Sequence, residues 1–72
     1  MSIGYYLKTQ REVAKLSQEE VAKRTGLTQA AISRWEDGLR IPNIESCIKL
    51  ADVYEVSLDE LVGRVFKEKD LE

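Results

Sequence analysis

The chain has 72 residues, eleven Lys/Arg against thirteen Asp/Glu, no His and one Cys. One cysteine excludes an internal disulfide and a Cys-rich zinc site, and the lack of His removes the commonest general base and metal ligand. A fold this short buries only about 60% of its unfolded surface, so it holds one small core and no second domain.

No apolar run approaches the ~18 residues that a membrane span needs, and no signal-peptide core is present. The expected location is therefore the cytoplasm, with no membrane partner. Neither a cofactor nor a metal is expected. The net charge is -2, which alone argues mildly against nucleic acid. Its distribution softens that argument. Residues 1–40 hold seven Lys/Arg and five Asp/Glu, or +2; residues 41–72 hold four and eight, or -4. A positive face is possible in the first half.

Nothing alternates with period two, so strands are not expected. Five helices fit. The first spans Ser2 to Lys15 and places Ile3, Tyr6, Leu7, Val13 and Ala14 on one face, with Gln10 set among them. Ser17 with Glu20 forms a capping box for a second helix, Gln18 to Thr25, which stops at Gly26. Thr28 caps a third helix, Gln29 to Asp37, which stops at Gly38. Asn43 caps a fourth, Ile44 to about Glu55, with Ile44, Cys47, Leu50, Ala51 and Tyr54 inward and Val53 on the polar side. Ser57 caps a short fifth helix, Leu58 to Val62, ending at Gly63. A mixed-charge tail, residues 64–72, extends that helix or frays.

The second and third helices are short and joined by Thr25-Gly26-Leu27-Thr28, a helix-turn-helix arrangement. Val21 and Ala22 face Ile32 and Trp35, and Gly26 supplies a left-handed turn residue. On the third helix, Ala31, Ile32 and Trp35 form the inner side. Gln29, Ala30, Ser33 and Arg34 form the outer side, which carries no carboxylate. Gln suits two-point recognition of adenine and Arg that of guanine, while small Ala30 and Ser33 allow close approach. An ordinary solvated face is the alternative. Trp35 and Cys47 read as packing residues rather than as a base-stacking platform and a redox sensor. Tyr5 falls off the apolar face and either meets a phosphate or is merely exposed.

The stretch Leu16 to Gly38, then Arg40-Ile41-Pro42, Leu50-Ala51 and Val56 to Leu61, resembles the Xre/Cro-type helix-turn-helix family. The resemblance covers about residues 3–63. It implies an all-α, compact five-helix, lambda-repressor-like bundle over residues 1–63 that binds double-stranded DNA, usually as a homodimer on a palindromic operator. It also implies base contacts from Gln29, Ala30, Ser33 and Arg34. Phosphate contacts fall to Gln18, Thr28, Arg40 and Asn43, for which capping (Gln18) and a solvated loop charge (Arg40) are the alternatives. Gln18 and Gln29 are expected to hydrogen-bond to each other. Arg11 and Glu36 match positions that in some members form a partly buried ion pair between the first and third helices; two unrelated surface charges are the alternative.

Three departures stand out. Asp37 replaces a common Asn, Leu39 a common Lys or Arg, and Glu55 a usual helix-ending Gly. The first two lower non-specific affinity for DNA, which dimerisation would offset. The candidate dimer residues are Val53, Val56, Leu58, Val62, Val65 and Phe66. The function expected is a transcriptional regulator, most simply a repressor, associated with the nucleoid. Its Met start and acidic tail point to a complete chain without a small-molecule ligand domain. A rival reading is an antitoxin or accessory protein-binding module on the same fold. An enzyme has little support, because no His and no Gly-rich phosphate motif is present.

Overall fold

The computed structural model describes residues 3–66, with side chains as far as Val62. Five helices follow one another: α1 (Ile3–Val13), α2 (Gln18–Thr25), α3 (Gln29–Glu36), α4 (Ile44–Tyr54) and α5 (Leu58–Phe66). No strand occurs among the described residues. None of these helices is long and apolar enough to cross a membrane.

Local chemistry sets most of the boundaries. The Ser17 hydroxyl accepts from the Glu20 amide at 3.0 Å, and the Glu20 carboxylate accepts from the Ser17 amide at 2.8 Å. These bonds hold the Glu20 carboxyl below its usual range. Gly26 closes α2 with φ 79°, its amide donating to Ala22. The Thr25 hydroxyl donates to Val21 at 2.7 Å and accepts from the Leu27 amide at 3.1 Å, which pins the turn into α3. Thr28, Asn43 and Ser57 each accept from the amide three residues on, capping α3, α4 and α5.

The core gathers Tyr6 and Leu7 from α1, Val21 from α2, Ile32 and Trp35 from α3, Leu50, Ala51 and Tyr54 from α4, and Leu61 from α5. Leu16 and Cys47 complete it. Burial pushes the Cys47 thiol and the Tyr54 hydroxyl above their ordinary values, so both stay neutral at neutral pH. Pro42 is also fully buried, although the sequence suggests only a loop there.

Several expectations need correction. α1 ends at Val13, two residues early, because the chain turns through Ala14 and Lys15, the latter at φ 61°. Val13 therefore sits at the last residue of the helix and is 70% exposed rather than in the core. Ile44 is 51% exposed, with nothing among the described residues burying it at the first turn of α4, whereas Val53 is half-buried against the core. α3 and α4 each end one residue before their expected limits. α5 runs through Gly63 to Phe66 instead of stopping at Val62, which is the helix-extending alternative for the start of the tail. Residues 67–72 of the expected tail lie outside the described residues.

Two backbone positions carry strong constraints. Gly4 lies against the last turn of α3. A Cβ there would collide with the Glu36 carbonyl oxygen and lie 2.9 Å from that of Trp35. Gly4→Ala should therefore cost about 1–3 kcal/mol. At the end of α4, Glu55 adopts φ 57°, where a residue with a Cβ is strained. Glu55→Gly should stabilise the fold by about 1 kcal/mol. Urea unfolding measures both. An alanine variant as stable as the wild type would remove the close approach as a constraint. A destabilised glycine variant would show that the Glu55 side chain outweighs its backbone strain.

Candidate nucleic-acid interface

The caps at Ser17 and Thr28 and the left-handed Gly26 confine α2 and α3 to eight residues each. α3 is fastened from its inner side, where Ile32 and Trp35 are 1% and 9% exposed. The opposite side presents Gln29, Ala30 and Arg34 to solvent. Ser33 lies at the edge of that surface, half-buried.

The single carboxylate of α3 is turned inward. Glu36 accepts from Arg11 Nε at 2.7 Å and Nη2 at 3.1 Å, a two-point pair linking α1 and α3. Its side chain is 3% exposed and that of Arg11 13%. Arg11 Nη1 also donates to the Leu16 carbonyl at 2.9 Å. Hydrogen bonding to Glu36, ahead of the charge attraction, raises the Arg11 pKa further above its already high ordinary value. The third donor to Glu36 is Gln18 Nε2, at 3.0 Å. Gln18 therefore hydrogen-bonds to Glu36 instead of the expected Gln29. A buried carboxylate is the stronger acceptor, and it lies within reach of the first residue of α2.

The remaining predicted positions flank α3. Thr28 is exposed at its N-terminus, with its side-chain oxygen engaged in the cap. Arg40 and Asn43 are exposed and, together with Arg34, Ala31, Trp35 and Ile41, line a shallow groove of about 320 Å³. This groove brings two guanidinium side chains to the end of α3, beside exposed Leu39 and Asp37. Tyr5 is 59% exposed on α1.

The predicted dimer residues divide differently. Val53, Val56 and Val62 are partly buried against the chain's own core, and Leu58 is 38% exposed. Val65 and Phe66 lie outside the described side chains. The apolar residues that the sequence reading missed as surface are Ile44 and Ile48 on α4, with Ile41 before it. Helical periodicity held no clear signal for them, since Ile44 and Ile48 fall at the edge of the inner face. Gly4 was missed as well; only the tertiary approach of α1 to α3 reveals its role.

Removing Arg11 would strand a buried carboxylate. Arg11→Met should cost about 3–5 kcal/mol, and adding Glu36→Leu should recover much of it. Thermal or urea unfolding of the single and double variants checks this. A double variant as unstable as the single would assign the loss to packing rather than to the stranded charge.

A sequence model described as helix-turn-helix matches residues 7–61. The cryptic phage CTXphi transcriptional repressor RstR of Vibrio cholerae is 34% identical over 64 residues, covering 89% of this chain and 57% of that protein. The chain spans about half the length of the curated relatives it matches. Among solved structures, the P22 c2 repressor in complex with a synthetic operator superposes with a TM-score of 0.78 at 30% identity, over 85% of this chain and 92% of that one. A chain of the SinR protein/SinI protein complex gives 0.79 at 28% identity, over 97% and 67%. The match to most of the chain, the five-helix order and the capped α2–turn–α3 unit agree: the chain belongs to the helix-turn-helix family of the Xre/Cro, lambda-repressor-like type.

Proposed function

We propose that this chain is a sequence-specific regulator of transcription, most simply a repressor. It binds a palindromic operator in double-stranded DNA as a homodimer, with α3 in the major groove. The observation that carries this reading is the outer surface of α3. Gln29, Ala30 and Arg34 are exposed there, while the helix's only carboxylate is buried. The P22 c2 repressor, similar along most of its length, is held in its solved structure with an operator.

In this reading Gln29 pairs with an adenine and Arg34 with a guanine, while Ala30 and Ser33 allow close approach and touch base edges. Thr28 at the start of α3, and Arg40 and Asn43 beside its far end, hold phosphates. Gln18 has one amide hydrogen on Glu36 and uses the other for a phosphate. Two copies reach half-sites about 34 Å apart, one turn of DNA. No step of this function needs a catalytic residue, a cofactor or a small-molecule ligand. Action on DNA places the protein in the cytoplasm, on the nucleoid.

A second reading is an antitoxin or accessory module whose main partner is a protein. The net charge of -2 and the similarity to a chain of the SinR–SinI protein complex favour it.

Selection from a random duplex library, followed by footprinting, tests the first reading. The expected result is an enriched palindrome with half-sites one turn apart. Gln29→Ala should then weaken operator binding by about 1–3 kcal/mol and relax discrimination at one A·T position. Arg34→Ala should abolish operator binding yet leave a complex with a protein partner intact. Equal losses on operator and random DNA would overturn the base-reading roles. No enrichment at low salt would overturn the DNA reading in favour of the protein one.

A further inference from the structure

One edge of the inner face of α4 is unusually apolar for a surface. Ile44 and Ile48 are 51% and 49% exposed, and Ile41, in the loop leading to the helix, is 45% exposed. Single exposed aliphatics are common, but here two stand four residues apart on one helical stripe. One flank of that stripe carries Glu45 and Lys49, both exposed. They lie about 100° from Ile44 and Ile48 respectively, so they share the same side.

This pattern is complementary to itself. Consider two α4 helices packed antiparallel about a two-fold axis level with Cys47. The stripe then reads Ile44, the partner subunit's Ile48, Ile48, the partner subunit's Ile44, each about 3 Å further along the axis. The same two-fold keeps like flanks together. Glu45 therefore meets the partner's Lys49, and Lys49 meets the partner's Glu45. In an isologous interface one such pairing appears twice. A parallel two-fold would instead put the Glu45–Lys49 flanks of the two copies on opposite sides of the seam. Val53, Val56 and Val62 of the fourth and fifth helices are less available for this role, being partly buried against the chain's own core.

We propose that the stripe of Ile44 and Ile48, flanked by Glu45 and Lys49, docks a second copy of this chain with the two α4 helices antiparallel. The proposal rests on the dimeric reading above and names the surface that makes the dimer. That surface begins directly after Asn43, so the subunit contact would adjoin the groove of Arg34 and Arg40.

Self-association of the full chain without DNA tests the proposal separately from operator binding. Sedimentation equilibrium to about 1 mM reads the dimer constant, and amide chemical-shift perturbation on dilution reads the surface. The expected result is a reversible dimer with shifts centred on Ile44, Glu45, Ile48 and Lys49. Ile48→Glu and Lys49→Glu should each weaken it about tenfold or more, and Glu45→Lys combined with Lys49→Glu should restore it. Unchanged melting temperatures establish that the variants fold, as expected at exposed positions. A monomer at the highest concentration would overturn the proposal. So would a dimer indifferent to these changes, or a double exchange that fails to recover the loss of Lys49→Glu. Selection from the duplex library reports on α3 independently, since a monomer that enriches a half-site keeps the DNA reading while the α4 interface fails.

Discussion

The buried carboxylate of Glu36 is where the helix-turn-helix unit is tied to the rest of the chain. Removing a carboxylate from water costs several kcal/mol unless its lone pairs are fully engaged. Here two Arg11 nitrogens and the Gln18 amide engage them. The remaining reach of Arg11, to the Leu16 carbonyl, adds the linker between α1 and α2. Three helices and a linker thus meet at one charge. The arrangement also acts on the far side of α3, since the helix's negative charge is taken inward and leaves the outer surface to Gln29, Ala30 and Arg34.

The same end of α3 is gripped a second time by packing. Gly4 permits the first turn of α1 to lie on the Trp35 and Glu36 carbonyls, a distance that a side chain would not allow. α1 thereby holds α3 at two points, through absence of a side chain at Gly4 and through charge at Arg11. At its beginning, α3 is fixed by the Thr25 and Thr28 hydroxyls, which bond the backbone on each side of the turn. An eight-residue helix has little stability of its own. Its rigidity comes from this clamping at both ends, and a rigid support is what a reading surface requires.

What could be read from the sequence divides along physical lines. Caps were legible because Ser17, Thr28, Asn43 and Ser57 act on amides three residues away, a purely local matter. The two faces of α3 were legible because Ile32 and Trp35 differ sharply from Gln29 and Arg34. The Arg11–Glu36 pairing came from family resemblance, and its geometry needed the fold. Helix edges were misread. Val13 and Ile44 carry core-like side chains at helix ends where the described residues leave them largely exposed, while Val53 looks exposed on a wheel but meets the core. Gly63 looks like a stop signal, but α5 continues past it to Phe66. The partner of Gln18 was misassigned for a similar reason, since choosing between Gln29 and Glu36 depends on which acceptor is buried and charged.

The acidic balance of the chain fits the proposed role once distances are considered. Charges more than about 8–10 Å from a phosphate are largely screened at physiological salt, and the described chain is 35 Å long in its largest extent. The local set of Arg34, Arg40 and Asn43 therefore matters more than the total of -2. The local set is still small. Each neutralised phosphate contributes about 0.9 to the salt slope, so one subunit with few such contacts holds DNA weakly. In the proposed complex the remaining affinity comes from base contacts and from a second subunit. An interface built on two isoleucines per copy is modest, which links subunit association to operator occupancy. Below the dimer constant, occupancy rises roughly with the square of subunit concentration, because free monomers must meet before both half-sites are held. On this reading the small apolar stripe of α4 does more than add affinity: its weakness gives the protein a steep response to its own abundance.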